Sequence, residues 1–284
     1  YPIDIPADFD MSDEQNRMLD DYLQRRLQGN FSMAGVKFWP EMRKLDESFW
    51  EKARKFKQIV PVFTNVIFDT SQGHANVVFS DMFEWLESVK QLIESHADTL
   101  FIIRAHPDET RPGKASKESV ADWVRQSGTD RLNNVIFVTP DEYFSSYEII
   151  LNSKFVMVYN STIGLEASLL GAAVLCGGKA RFTQIPTVFF PKSQEEYRRL
   201  AVELLAADVV SVPPEYKQNA RKFLFYQVFK TSIPFGEFIS EDGIWPGYVK
   251  IKKLPLAAYK AENSPSIKVI LDGILNNGSF LMDS

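Results

Sequence analysis

Cysteine and histidine are scarce in this chain and long apolar runs are missing, and each shortage removes a class of protein. A single cysteine, Cys176, stands among 284 residues. No disulfide can form within the chain, which suits a reducing compartment. Its setting, Ala173-Val174-Leu175-Cys176, reads as the end of a buried strand rather than as a nucleophile. The three histidines, His74, His96 and His106, do not cluster at metal-ligand spacing, so no metal is expected. No apolar stretch reaches the roughly 18 to 20 residues that a membrane-spanning helix needs. Positive charge is not in excess either. Lys and Arg number 32 and Asp and Glu 37, a net charge of −5, whereas a general nucleic-acid binder is usually basic. Nucleic acid is therefore discounted as the main partner, while a small basic pocket for a phosphate stays compatible with this balance. Walker A loops, dinucleotide GxGxxG fingerprints, internal repeats and low-complexity tracts do not occur. The opening Tyr1-Pro2-Ile3-Asp4 has neither the basic nor the apolar part of a signal peptide, and it lacks an initiator Met. The expectation is a fragment of a longer protein or a processed product.

What is present is ordinary globular composition, with 45% apolar and 24% charged residues. A chain of this length buries a core without staples. Residues 12 to 28 have Met18, Leu19, Tyr22, Leu23 and Leu27 at helical spacing behind a capping Ser12, and a second helix is expected over about 40 to 57. From residue 59 the character changes. Short apolar runs at 59–68, 99–104, 134–138, 155–159 and 173–176 alternate with helical patterns at about 81–96, 116–127, 141–151, 163–170, 194–207 and 215–230. The runs are continuously apolar, as strands buried on both faces are. Strand and helix in rotation predict right-handed crossovers and an α/β, Rossmann-like, doubly wound parallel sheet, with additional N- and C-terminal helices. Three regions follow: a helical linker over 1–57, the sheet domain over 58–232 and a C-terminal extension over 233–284, with a last helix at 265–276. Ligands of such sheets sit beyond the carboxyl ends of the strands, so the loops after residues 68, 104, 138, 159 and 176 are the ones to read for function.

Two of these loops carry phosphate-binding chemistry. In Arg104-Ala105-His106-Pro107 the proline ends the strand. His106 then projects from the sheet edge, where an imidazolium can hydrogen-bond a phosphate oxygen and Arg104 can add charge. The bland reading is a turn histidine, with Asp108 and Glu109 pairing Arg104 or Arg111. In Asn160-Ser161-Thr162-Ile163-Gly164-Leu165-Glu166-Ala167, Ser161 and Thr162 fall where a helix cap belongs, and helix starts favour anions. Gly164 leaves space for a ligand at the first turn, and Glu166 lies where it can accept ribose hydroxyls. An ordinary capped helix explains the same residues. The two loops together suit a nucleotide phosphate, with Asn65, Asp69, Gly177 and Gly178 as further residues of a cleft.

The pairing of His106-Pro107 after one strand with Ser161-Thr162 opening a later helix resembles the "HP" and "S-S/T" signatures of several bacterial GT-B transferases. These are capsule polysaccharide biosynthesis proteins with their Kdo-transferase relatives, bacterial sialyltransferases and CDP-glycerol glycerophosphotransferases. The stretch from Asn160 to Ala167, followed by Gly171-Ala172-Ala173-Val174, is most similar to the capsule type. The resemblance covers roughly residues 58 to 210 and implies the C-terminal, donor-binding half of a metal-independent glycosyltransferase for capsule or other surface polysaccharide. By position it assigns His106 and Ser161-Thr162 to the donor phosphate and Glu166 to the ribose region, with Asn160 and Gly164 beside it. The donor is a substrate, CMP-, CDP- or UDP-linked, and no cofactor is implied. The acceptor is a glycan or a lipid-linked acceptor, and the setting is cytoplasmic, with peripheral association at the inner face of the membrane allowed. Only about 58 residues precede the first strand, a departure from a two-domain GT-B enzyme that leaves the catalytic base unassigned. A sugar-nucleotide epimerase of the same architecture and a non-catalytic nucleotide-binding module are the competing readings.

Overall fold

The computed structural model describes residues 2–27, 44–67, 72–110, 118–142, 144–244 and 248–283. The chain forms two compact units, one of residues 41–220 and one of residues 1–40 with 221–284. Its first helix, α1 (Asp13–Leu27), belongs to the second of these.

The 41–220 unit is built on strand–helix alternation. It opens with α2 (Glu47–Ala53), whose N-cap Asp46 accepts a hydrogen bond from the Phe49 amide. The expected helix over 40 to 57 is thus trimmed to its capped middle, its first residues lying outside the described ones. Then come β1 (Gln58–Phe63), the short α3 (Gln72–Ala75), α4 (Met82–Ser95), β2 (Thr99–Arg104), α5 (Val120–Gln126), β3 (Val135–Val138), α6 (Ser146–Leu151), β4 (Val156–Val158), α7 (Ile163–Leu169), β5 (Val174–Cys176) and α8 (Gln194–Ala206). A further helix, α9 (Pro214–Phe225), runs from this unit into the other.

The five strands form one parallel sheet in the order β3-β2-β1-β4-β5. Period-two alternation sends their side chains to two cores. Val60, Val62, Phe101, Ile103 and Met157 meet Trp85, Leu86 and Val89 of α4, Val124 of α5 and Ala201 of α8. Leu100 and Ile102 face the opposite way, onto Ala53 of α2 and Ile149 of α6. Helices therefore cover both faces of a Rossmann-like α/β sheet, which explains why the strands read as unbroken apolar runs.

The first strand stops earlier than its apolar run. Thr64 leaves the ladder, its amide and hydroxyl both donating to the Arg104 carbonyl at 3.2 and 3.0 Å. On the other side β4 has only three residues, and Phe63 with Val158 is the last rung. Both changes release the chain from Thr64 onward to turn across the carboxyl edge.

In the other unit α1 lies against the end of α9 and the π-helical turn Tyr226–Lys230. Arg221 pairs with Asp20 at 2.7 Å, Lys222 with Asp10 at 3.2 Å, and the Phe9 ring packs on Phe225 and Tyr226. An antiparallel ribbon of β6 (Ile239–Glu241) and β7 (Val249–Ile251) follows, then α10 (Pro265–Asn276), capped by Ser264 and closed by Asn277 in the left-handed region. Residues 1 to 27 and 233 to 284, assigned from sequence to a linker and an extension, thus share one unit because α1 finds its partners on the chain after Arg221.

Candidate functional site

The strand order fixes where a ligand crevice lies. Connections from β1 run outward to β2 and β3, and the chain then crosses back to add β4 and β5 on the other side. The loops that follow β1 and β4 therefore diverge, and the crevice of such a sheet opens between them at the carboxyl ends. Asn65 and Asn160 stand at that point, both buried. The Asn65 Oδ1 accepts a hydrogen bond from the Asn160 amide at 3.2 Å, and the Asn65 amide donates to the Met82 sulfur at 3.3 Å. One side chain thus holds the two diverging loops in register. Asp69 lies outside the described residues.

Beyond Asn160 the chain enters α7. Ser161 is buried and Thr162 exposed. Thr162 holds the N-cap position, yet its own backbone is already helical, with φ −61 and ψ −19, and its side chain makes no cap hydrogen bond. The capping role expected of this threonine is not used, because a hydroxyl reaches the N2 or N3 amide only from an extended backbone. Glu166, one turn in, accepts a hydrogen bond from the Tyr147 hydroxyl at 2.7 Å. Gly164 is filled by protein rather than ligand: a Cβ there would lie 3.0 Å from Val158 and 3.2 Å from Phe182, so glycine lets α7 settle against β4.

His106 lies two residues past β2, the neighbour of β1 on the side opposite β4. Strands spaced about 4.8 Å apart put the ends of β2 and β4 about 10 Å from each other, a span that phosphate groups can bridge. The His106 Nδ1 accepts a hydrogen bond from the Asp108 amide at 3.1 Å, while the His106 carbonyl accepts one from Glu109. A backbone amide only donates, so in this arrangement the ring is neutral with its proton on Nε2. The expected imidazolium is replaced by a ring whose Nδ1 caps its own turn.

Arg104 departs further from its expected place. It is 4% exposed, and its Nη1 donates to the Phe144 carbonyl at 2.6 Å. Burial pushes its guanidinium down to about 10, against the pull of Glu142, which leaves it charged at neutral pH. A strand residue packed this way holds the loop before α6. The carboxyl of Glu109, in the same loop as His106, is pushed up to about 7 by burial, opposed by a hydrogen bond from the Val120 amide and assisted by Asp122.

Gly177 and Gly178 are also occupied by the protein. A Cβ on Gly177 would stand 2.4 Å from the Trp85 ring, and one on Gly178 3.0 Å from the Tyr159 ring. These glycines admit aromatic side chains, not a base or sugar. Trp85 donates to the Tyr197 hydroxyl at 2.7 Å inside the core, and Tyr159 donates to Asn76 Oδ1 at 2.6 Å at its edge. Cys176 is fully buried, its thiol pushed up by burial and donating to the Tyr159 and Gly178 carbonyls, which is the structural role read from its setting.

Sequence reasoning did not single out Tyr147 or Asn76, nor a cavity that Asn76 helps to line. That cavity, of about 540 Å³, lies at the carboxyl side of β1, where Ile67, Asn76, Asp81, Ser119, Asp122 and Trp123 line it. The indole of Trp123 is fixed by Glu87, 2.7 Å away. No local pattern marks Asn76 or Trp123, whose partners Tyr159 and Glu87 lie 83 and 36 residues away. Among the described residues no group of His, Cys, Asp and Glu could hold a metal ion. No helix among them is long and apolar enough to cross a membrane.

A Rossmann-like sheet with a crevice at its β1–β4 switch point defines a class of ligand-binding α/β units. Within that class, residues 27–187, more than half of the chain, match the family of capsule polysaccharide biosynthesis proteins, and the chain belongs to it. Among curated proteins no relative matches. Solved structures with a similar fold include the beta Kdo 2,4 transferase KpsC of Thermosulfurimonas dismutans, at 11% identity and TM-score 0.45, covering 78% of this chain and 56% of that one. The UDP co-structure of S. aureus MnaA aligns at 13% identity and TM-score 0.38, over 63% of this chain and 44% of that one. The UDP-GlcNAc 2-epimerase from Neisseria meningitidis bound to UDP-GlcNAc aligns at 14% and 0.38, over 73% and 45%. The chain spans about half the length of these structures.

Proposed function

We propose that the 58–232 region binds a nucleotide-sugar and serves as the donor half of a metal-independent GT-B glycosyltransferase for capsule or other surface polysaccharide. The observation that carries this reading is the strand order, which sets the β1–β4 crevice directly beside the strand that leads into His106. The donor phosphates lie across that edge. The Nε2 proton of His106 and the amides that open α7 with Ser161 and Thr162 donate to phosphate oxygens. Preorganised donors of this kind stabilise the charge that develops on a departing nucleotide phosphate without a metal. Glu166 accepts from the ribose, Asn65 and Asn160 keep the two loops at the right spacing, and Arg104 adds positive potential from beneath rather than by contact. The polar cavity near Trp123 offers carboxylates and an amide to sugar hydroxyls. The acceptor, a glycan or lipid-linked glycan, is held by a second half, and without that half the donor is bound but transfer is lost, because positioning supplies much of the rate. The work belongs in the cytoplasm, where activated sugars are made.

Titration calorimetry with CMP, CDP, UDP and GDP tests the reading. One of these nucleotides binds, and His106→Ala weakens that binding by about 1.5 to 3 kcal/mol, the range for a hydrogen bond to a charged group. The melting temperature moves little, since one turn hydrogen bond contributes about 1 kcal/mol. Unchanged nucleotide affinity combined with a large drop in melting temperature would reduce His106 to a turn residue and overturn the assignment.

A further inference from the structure

The β6–β7 ribbon leaves β7 uncovered. All three of its residues are exposed. The apolar side chains around it stand far into solvent: Tyr248 is 68% exposed, Ile251 76%, and Leu256, in the turn Leu256–Tyr259, 88%. They are braced all the same. The Lys252 amide donates to the Phe238 carbonyl at 2.8 Å, the Tyr259 ring stacks on Phe238 with centroids 5.3 Å apart, and the Tyr259 hydroxyl donates to the Lys252 carbonyl at 3.4 Å. Ribbon and turn thus form one held piece that presents apolar side chains outward. Single exposed apolar residues are ordinary, but several on one piece mark a surface that something covers.

Charge indicates what covers it. The chain has a net charge of −5, yet from Gly243 to Ala261 it carries four lysines and no carboxylate, with Glu241 and Asp242 before this stretch and Glu262 after it. Lys252 donates to the Gly236 carbonyl at 2.7 Å, and Lys260 pairs with Glu262 at 3.5 Å. Lys250 and Lys253 are exposed and make no ion pair among the described residues. A second copy is a poor occupant, because pairing β7 with β7 would bring these lysines together, and lysines on an edge strand work against such pairing.

We propose that β7 and the turn after it dock on an anionic bilayer, with Tyr248, Ile251 and Leu256 entering the headgroup layer while Lys250 and Lys253 meet lipid phosphates. Lys250 and Ile251 point to opposite faces of the strand, so the ribbon meets the membrane by the β7 edge. The long lysine stems follow the apolar side chains down while their ammonium heads stay among the phosphates. The edge backbone keeps its water at that depth, which the hydrocarbon core would deny it. Buried apolar area and attraction to anionic lipid together supply the binding. None of these residues belongs to the sheet crevice, so this contact does not rest on the donor reading.

Co-sedimentation with vesicles tests it, using phosphatidylcholine alone and phosphatidylcholine mixed with phosphatidylglycerol in equal parts. The wild-type chain prefers the anionic vesicles by about twentyfold, about fivefold for each free lysine. Added salt erodes that preference. The double variant Lys250→Gln, Lys253→Gln loses it. The double variant Ile251→Ser, Leu256→Ser binds both kinds of vesicle at least about tenfold more weakly, because less apolar area is buried. All four side chains are exposed, and circular dichroism checks that each variant keeps its fold. Were a variant to unfold, the lipid and salt dependence of the wild type still decides. No binding to anionic vesicles, or equal binding to both kinds, overturns the proposal, as does wild-type affinity in both double variants. A dimer in analytical sedimentation that the Ile251→Ser, Leu256→Ser variant breaks, with no vesicle binding, would give the surface to a second copy instead.

Discussion

The unit of residues 41–220 and the unit formed by the two ends of the chain handle their apolar surface in opposite ways. In the first, the strands are buried on both faces, and Trp85, Phe101, Phe155 and Tyr197 are almost fully enclosed. In the second, capped helices, ion pairs and stacked rings hold short elements together, and much apolar surface stays outside. Eleven of the fifteen large apolar side chains exposed among the described residues lie between Phe235 and Phe280. Leu256 is 88% exposed and Ile251 76%. The sheet unit closes its own core, as a platform for loops must, whereas the ribbon and α10 add structure without closing one. Asn65, His106 and Asn160 all follow strands anchored in the enclosed core.

The largest effect is expected from breaking the enclosed side of that contrast. Trp85→Ala removes the ring that fills the space over Gly177 and leaves the Tyr197 hydroxyl without its donor. A cost of about 3 to 5 kcal/mol is expected in chemical denaturation followed by circular dichroism. Leu256→Ala in the other unit is expected to change stability by less than about 0.5 kcal/mol. Equal costs for the two would mean that the ribbon region carries a core of its own.

A smaller effect concerns Glu109. Its carboxyl titrates at about 7 in the folded chain, above its ordinary value of 4.5, chiefly through burial. The folded state therefore holds this proton more tightly than the unfolded state does. Its stabilising contribution is full below about pH 4.5 and is lost as pH rises toward 7. Glu109→Gln, which cannot ionise, is expected to gain on the order of 1 kcal/mol relative to wild type between pH 5 and 8, after discounting for the solvent that reaches the group. A stability difference that stays flat with pH would show that Glu109 ionises freely.

The smallest effect belongs to Thr162. Because its hydroxyl makes no cap hydrogen bond, Thr162→Ala is expected to shift stability by at most about 0.3 kcal/mol rather than the roughly 1 kcal/mol of a working cap. Under the proposed function nucleotide affinity is also largely kept, because alanine retains the backbone amide. A thermal melt beside a calorimetric titration checks the two, and a full cap-sized loss in the melt would show that the hydroxyl does cap α7 in solution.

Much of the alternation was legible residue by residue. Strand 99–104 and helix 265–276 match their expected limits, α4 is a residue shorter at each end and α8 a residue shorter at its carboxyl end. Overruns came where local pattern and tertiary pairing disagree, as when the apolar run from Ile59 continued past the last partner that β4 offers. The three-residue strands of the β6–β7 ribbon were not recognisable, because a glycine- and proline-rich stretch with scattered aromatics has no period to read. His106, Asn160, Ser161 and Asn65 were singled out by the rule that loops at strand ends bind ligands, and the structure has each of them just beyond a strand. Gly164, Gly177 and Gly178 were misread as open space, since a sequence shows a missing side chain without showing what fills the gap.

The sequence by itself determined that this is a parallel α/β sheet, because burial on both faces forces unbroken apolar strands and crossover helices. It also determined which loops gather at the carboxyl edge, because every parallel strand ends on the same side. Only the tertiary structure decided the strand order, hence the crevice between β1 and β4. It alone decided that Arg104 is spent on a carbonyl, that His106 caps its own turn and that Tyr147 reaches Glu166. Arg104 and Tyr147 meet partners 40 and 19 residues away, whose approach is set by helix packing on the sheet and leaves no mark in local pattern, while His106 is set by the turn that brings the Asp108 amide onto its ring.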